Sequence, residues 1–224
     1  AGIPVFTLNI DAPKAKRFAF YALNEVQAGK INGETTARLI KEKGVQVNKI
    51  AMGSGAPDQP WAQARMEGFM EGYKSVFPDA KFFNDVKSGI PTGKNFTTQE
   101  VLNSVTPFLT ANPDVTLFFH TDQGIEGVGN VIRNLKLNGK VYASGFNVSG
   151  AILDSIGEGT TLVTIDQGFD NQAQAPVEQC AQFLAKGETP ADPMQFLRPI
   201  VITQAGGENE LTVDAGRERL KAAR

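Results

Sequence analysis

Residues 140–167, KVYASGFNVSGAILDSIGEGTTLVTIDQ, constrain the fold of this chain more than any other stretch. Residues 140–145 form a short β-branched and aromatic run. Residues 148–156 then bring Ile152, Leu153 and Ile156 to helical spacing. Gly157 and Gly159 supply a helix stop, and residues 161–165 are again strand-like. Strand, helix and strand follow one another with only short turns between. Each strand ends in a side-chain amide, Asn147 after the first and Gln167 after the second. Parallel strands put their carboxyl ends on one edge of a sheet, where open α/β sheets bind ligands. An amide carries a donor and an acceptor, so two on that edge suit a ligand covered in hydroxyl groups.

The same alternation runs through most of the chain. Residues 3–10, IPVFTLNI, are a near-continuous apolar run, the pattern of a strand covered on both faces, and Asp11-Ala12-Pro13 ends it. Residues 18–23, 47–52, 81–83 and 115–119 are further predicted strands, and residues 84–95 a long polar loop. Helices are predicted over 26–43, 61–77, 97–110 and 124–137. The clearest is 61–77, with Met66, Phe69, Met70, Tyr73 and Phe77 on one face. Residues 177–184 are helical too, with Cys180 on the apolar face and read as core. Residues 196–202 are a last strand interrupted by Pro199, which suits an edge or a crossing segment, and a polar helix over 214–221 follows. From residue 18 to 165 about six strands alternate with helices, the pattern of an α/β, doubly wound parallel sheet with a Rossmann-like lobe. Residues 1–17 and 168–195 fall outside that lobe and are expected to form part of a second one. Residues 18–167 and 196–224 are expected to form the six-stranded lobe.

Composition narrows the function classes. The 224 residues are 41% hydrophobic and 21% charged, which allows a sizeable core. A formal charge of -2 gives no general attraction to nucleic acid or anionic membrane. No apolar run reaches the roughly 18 residues that span a bilayer. Cys180 is the only cysteine and His120 the only histidine, so thiolate clusters, intrachain disulfides and His-based zinc sites are not expected, nor is a cofactor.

The residues that follow the predicted strands carry the functional signal. Asn24 and Glu25 follow one strand, Ser54 the next, Thr121 and Asp122 another. With Asn147 and Gln167 they form a polar rim. Trp61 and Arg65 share a helix face at i, i+4 spacing, and Phe96 follows the long loop. Aromatic faces suit the C–H face of a sugar ring, while carboxylates, amides and a guanidinium suit its hydroxyls. Each residue also has a purely structural alternative. Asn147 and Asp122 can cap the helices after them. Glu25 can be a first-turn acid, Arg65 a solvated helix charge, Trp61 a partly buried surface residue, and His120 a packing residue behind the rim.

Several motifs in order resemble the type I periplasmic sugar-binding proteins of ABC transporters, ribose-binding protein among them. They are Gly2-Ile3-Pro4-Val5-Phe6-Thr7-Leu8, Asn24-Glu25 with Ala28-Gly29-Lys30, Arg65-Met66-Glu67-Gly68-Phe69, Asn112-Pro113-Asp114, Gly145-Phe146-Asn147 and Thr164-Ile165-Asp166-Gln167. The resemblance implies two Rossmann-like lobes joined by three crossing segments. It places Glu25 where the family has a hydrogen-bonding Asn or Asp, Arg65 on its sugar-clamping arginine and Phe96 near a stacking aromatic. Thr121 and Asp122 stand for an Asn-Asp pair. Asn147 and Gln167 fall on a binding Asp and Gln, and Asn9 on an Asp that ends the first strand. Asn9 and Asn147 replace carboxylates, which sets this rim apart from ribose-like and galactose-like patterns. The first half of the family's amino-terminal lobe has no counterpart, so the chain is expected to be a fragment or one piece of a split protein. A companion chain or self-association would then complete that lobe.

The resemblance implies a non-enzymatic solute-binding protein, periplasmic or lipid-anchored outside the cell, that hands a small sugar or polyol to an ABC permease. The alternative on the same fold is the effector-binding core of a lac-repressor-like regulator. An enzyme finds no support: the chain has no nucleophile elbow, Walker loop, GxGxxG turn or metal motif.

Overall fold

The structure is a computed structural model that describes residues 3–222; Gly2 of the first resemblance motif lies outside the described residues. In chain order the elements are β1 (Phe6–Leu8), β2 (Ala19–Leu23), α1 (Glu25–Glu42), β3 (Ile50–Ser54), α2 (Pro60–Val76), β4 (Ile90–Pro91), α3 (Thr98–Ala111), β5 (Leu117–His120), α4 (Ile125–Asn134), β6 (Tyr142–Phe146), α5 (Gly150–Gly157), β7 (Thr161–Asp166), α6 (Phe169–Lys186), β8 (Met194–Leu197), β9 (Ile200–Thr203), β10 (Glu210–Leu211) and α7 (Val213–Ala222). They fall into two compact units, Ala1–Asn24 with Gln167–Pro199 and Glu25–Asp166 with Ile200–Arg224. The backbone passes from one unit to the other at 24–25, 166–167 and 199–200.

The larger unit is built on a seven-stranded sheet of order β10-β9-β7-β6-β5-β3-β4. Every neighbouring pair is parallel except β7 with β9. Both faces are covered, which is why β5 reads LFFH without polar alternation. On one face Phe119 stacks on Phe69 of α2 at 4.0 Å between ring centroids. On the other, Phe118 joins Val101, Val105 and Leu109 of α3, Val128 and Ile132 of α4 and Leu153 of α5 in one core. The fold is thus the doubly wound α/β lobe that the strand and helix spacing predicts, with seven strands where six are expected, because β9, β10 and the short β4 join the sheet and β2 does not. Residues 84–95, expected as loop, hold a 3-10 turn (Val86–Ser88) and β4. The Asn84 side chain fastens this segment by bonding both the amide and the carbonyl of Met52.

Three assignments differ from the sequence reading. Residues 18–23 do not open the large sheet. As β2 they pair with β1 (Phe6↔Ala19) and β8 (Phe20↔Met194) in a parallel three-stranded sheet of the smaller unit. Periodicity identifies a strand but not its partner. Here the partner is fixed by the turn between β1 and β2, where Asp11 accepts from Arg17 Nε at 2.5 Å, Arg17 Nη2 at 2.7 Å and Thr7 Oγ1 at 3.0 Å. Residues 81–83 shrink to a single bridge, Ile50↔Phe82. Residues 196–202 are two strands in different units, and Pro199 lies at the crossing, where no ladder hydrogen bond is needed.

In the smaller unit α6 packs on β1 and β2, with Phe18 edge-on to Phe6 and to Phe183. A sheet this narrow covers only part of an 18-residue helix. Only Gln172 and Pro176 of α6 are buried, while Val177 and Leu184 are 68% and 74% exposed. Cys180, expected in a core, is half-buried. Ile3, Val5, Leu8 and Ile10 are exposed as well.

Helices α1 and α2 pack backbone against backbone. A Cβ on Gly29 or Gly33 of α1 would lie 2.3 Å from the Arg65 or Phe69 carbonyl oxygen. One on Gly68 or Gly72 of α2 would lie 1.9 or 2.1 Å from that of Val26 or Lys30. The two backbones touch because these four positions have no side chain. Gly68→Ala is expected to cost about 3 kcal/mol through forced separation of the helices. Gly150→Ala, where an added Cβ meets nothing, should stay within about 0.5 kcal/mol of the parent. Urea unfolding of the two variants measures the contrast.

Candidate functional site

The α1–α2 contact brings Glu25 and Arg65 together at the carboxyl edge of the large sheet. Glu25 is the first residue of α1, where a carboxylate also meets the positive end of the helix dipole. Arg65 lies within the first turns of α2, a helix opened by Pro60. Arg65 donates from Nε to Glu25 Oε2 at 2.6 Å and from Nη2 to Oε1 at 2.9 Å, a two-pronged ion pair. Its Nη1 donates to the Thr121 carbonyl at 2.8 Å. The Trp61 ring lies 5.0 Å from the guanidinium carbon and the Phe146 ring 4.3 Å. The guanidinium is therefore held at its edge and by two aromatic rings, and Arg65 is only 3% exposed. It is no solvated helix charge. Thr121 serves it through the backbone, and its own hydroxyl turns to Asp122.

Asp122 points into the unit. Its Oδ2 accepts from the Gly55 amide at 2.9 Å and the Ser54 hydroxyl at 3.1 Å, and its Oδ1 from the Gly124 amide at 2.9 Å. It ties the end of β3 to the entry of α4. His120 packs behind it, fully buried. Its Nδ1 lies 3.3 Å from both the amide and the carbonyl of Asp122, and its Nε2 2.8 Å from the Thr92 hydroxyl. Burial holds the His120 pKa below its ordinary value, against the pull of Asp122. Burial acts to raise the Asp122 carboxyl, but the His120 ring and the Gly124, Gly55 and Ser54 donors outweigh it, so that pKa is lowered. With the ring neutral, the donors carry that effect.

Phe96 adopts a left-handed backbone (φ 56°) and is 38% exposed. Its ring lies over Gly55, where a Cβ would come within 2.5 Å of Cδ1. Thr97 and Glu100 form a capping box just beyond it. Asn147 is left-handed too (φ 74°); its amide donates to the Ile165 carbonyl at 2.7 Å and its carbonyl accepts from Thr164 Oγ1 at 2.6 Å. It does not cap the next helix, since Ser149 does, accepting from the Ile152 amide.

The smaller unit brings Asn9 and Gln167 together. Asn9, left-handed at φ 63°, follows β1, and its Nδ2 donates to Gln167 Oε1 at 3.4 Å. Gln172 Nε2 donates to the Gln167 carbonyl at 2.9 Å; Gln172 is wholly buried, and its Oε1 meets no donor among the described residues. Glu25, Trp61, Arg65, Phe96, Thr121, Asp122 and Asn147 thus lie on the larger unit, Asn9 and Gln167 on the smaller. Phe146 and Gln172 escaped the sequence reading. Phe146 carried a signal, as an aromatic directly before Asn147. Gln172 carried none.

Among the described residues no helix is long and apolar enough to cross a membrane, and no three His, Cys, Asp or Glu side chains are grouped to hold a metal ion. The sequence pattern of the periplasmic binding protein domain matches residues 1–189. Solved structures share the fold. An ABC transporter periplasmic solute binding protein from Actinobacillus succinogenes 130z, with bound D-allose, superposes at TM-score 0.76 and 22% identity, over 97% of this chain and 71% of that one. A sugar ABC transporter sugar-binding protein from Bacillus halodurans gives 0.76 and 21% over 91% and 70%. GanP, a glucose-galactose binding protein from Geobacillus stearothermophilus, gives 0.74 and 20% over 91% and 68%.

The buried His120 predicts an acid-sensitive fold. Its pKa is lowered on folding, so its contribution is complete above the unfolded value of about 6.5 and is lost as the pH falls below it. The slope is about 1.4 kcal/mol per pH unit until the folded ring itself protonates. The Asp122 contribution is lost only further down, below about pH 3.9. Urea unfolding at pH 7.5 and 5.5 should show a larger loss for the parent than for His120→Gln.

Proposed function

The chain belongs to the periplasmic binding protein domain family, and from that premise we propose that it captures a small sugar or polyol outside the cytoplasm and delivers it to an ABC-type permease. No bond of the ligand is made or broken. The observation that carries this reading is Arg65, the only cation among the candidate residues, held rigid at a sheet edge between Trp61 and Phe146 by Glu25. A guanidinium fixed in advance loses little entropy when it meets a hydroxyl. The Glu25 carboxylate and the side-chain amide of Asn147 add acceptors and donors for further hydroxyls on this unit, and Asn9 and Gln167 are proposed as ligand-binding residues of the smaller unit. Trp61 and Phe96 offer aromatic faces for the apolar side of a sugar ring. Thr121 and Asp122 act from behind, as supports of Arg65 and of Gly55. D-allose bound to the Actinobacillus relative, and D-arabinose bound to a carbohydrate transporter solute binding protein from Agrobacterium radiobacter, fit this ligand class.

Arg65→Ala is expected to weaken binding of the best sugar by about 2–3 kcal/mol, since it strands the Glu25 carboxylate without its partner. Isothermal calorimetry over a panel of aldoses and polyols measures this, and an unchanged affinity rejects the role. Tryptophan fluorescence should respond to the sugars that bind, because Trp61 is the only tryptophan.

The exposed apolar residues of the smaller unit, Ile3, Val5, Ile10, Val177 and Leu184 among them, favour self-association of the chain alone in solution. Light scattering should then find a species larger than the 24.1 kDa monomer. A stable monomer that binds sugar tightly counts against this part of the reading.

A further inference from the structure

We infer that Glu25 restricts the ligand to uncharged polyhydroxylated molecules, and that its carboxylate is what excludes sugar acids such as uronates and aldonates. The inference rests on the sugar-capture reading and names the ligand class within it.

The Arg65 fork at this edge would otherwise draw an anion, being the natural partner of a carboxylate. Glu25 occupies it: both of its oxygens lie on the fork, at 2.6 and 2.9 Å. Nη1 of the guanidinium donates to the Thr121 carbonyl, and the rings of Trp61 and Phe146 lie against the group. A ligand carboxylate can reach the two-pronged edge only by displacing Glu25.

The remaining charge points the same way. Asp122 adds a second carboxylate, already engaged by Ser54, Gly55 and Gly124. One cation against two carboxylates leaves the candidate residues of this edge with a net negative charge. An incoming anion gains no uncompensated partner and loses its hydration. A hydroxyl loses less and finds acceptors. Within the pair the Glu25 side chain is the more accessible, 16% against 4% for Arg65, so the acceptor faces outward more than the donor does.

The test is calorimetry with matched aldoses and uronates, D-glucose with D-glucuronate and D-galactose with D-galacturonate, on the full chain. The parent is expected to bind its preferred aldose at least 100-fold more tightly than the matching uronate. Glu25→Gln should shift that ratio toward the uronate by at least 10-fold, because the Arg65 charge is no longer compensated. Glu25→Asp, which keeps the charge, should retain the parent's rejection. The double variant Glu25→Gln/Arg65→Gln, which removes both charges and leaves no lone buried cation, should reject the uronate as the parent does. Circular dichroism and thermal melting verify the fold of each variant, and if Glu25→Gln does not fold, the parent ratio and the double variant decide. A parent that binds uronate as well as aldose, or a folded Glu25→Gln with the parent's ratio, overturns the inference while leaving sugar capture intact. A parent that binds neither aldoses nor uronates overturns the sugar-capture reading, and this inference with it.

Discussion

The candidate site of the larger unit depends on the backbone contact between α1 and α2. Four glycines on two helices remove the side chains that would hold the axes apart. Helix axes in proteins usually lie about 8–10 Å apart, and small residues at the crossing bring them nearer the short end. Gly29 is four residues after Glu25, and Gly68 three after Arg65, so each lies about one turn from the charged residue on its helix. The ion pair is therefore a consequence of the crossing. Glycine inside a helix costs roughly 1 kcal/mol each relative to alanine. That four are kept in α1 and α2 fits a contact that positions side chains as well as filling space.

Buried polar groups fix the rest of the edge. Asn32 of α1 donates to the Gly145 carbonyl of β6 at 2.7 Å, and Thr36 Oγ1 lies 2.7 Å from the Ser144 hydroxyl. These bonds tie α1 to one register against β6, the strand that ends in Phe146 and Asn147. An apolar interface could slide by a fraction of a turn at little cost, whereas a broken buried hydrogen bond costs the desolvation of both partners. Asp122 acts similarly for β3 and α4. The edge is thus built from elements that meet in one alignment, with the candidate residues at the ends of those elements.

The sequence made much of this legible, and its silences have physical causes. The 140–167 unit is visible because helical and strand periodicities alternate there without a break, and the structure holds β6, α5 and β7 in that stretch. The rim residues are visible because a polar side chain directly after an apolar strand lies at a carboxyl end. The partners of the strand at 18–23 were not visible: one is joined to it by the side-chain bonds of the Asp11–Arg17 turn, and the other lies far off in the chain at 194–197. Nor was the role of the four glycines of α1 and α2. Their function exists only when two helices cross, and no single-helix pattern encodes a crossing. Gln172 escaped for a related reason: a glutamine on an amphipathic helix looks solvated, and only the fold makes it the buried partner of the Gln167 backbone.

The Glu25–Arg65 pair cannot be understood as a stabilising device. Moving two charges out of water costs several kcal/mol per ion, and their attraction returns that only with good geometry. A pair of apolar residues of similar size would hold α1 on α2 as well or better. What an apolar pair could not do is present a carboxylate and a guanidinium in fixed orientation beside two aromatic rings. The geometry that makes the pair tolerable, two short bonds plus the Thr121 carbonyl and the rings, is also the geometry that leaves each group oriented before any ligand arrives.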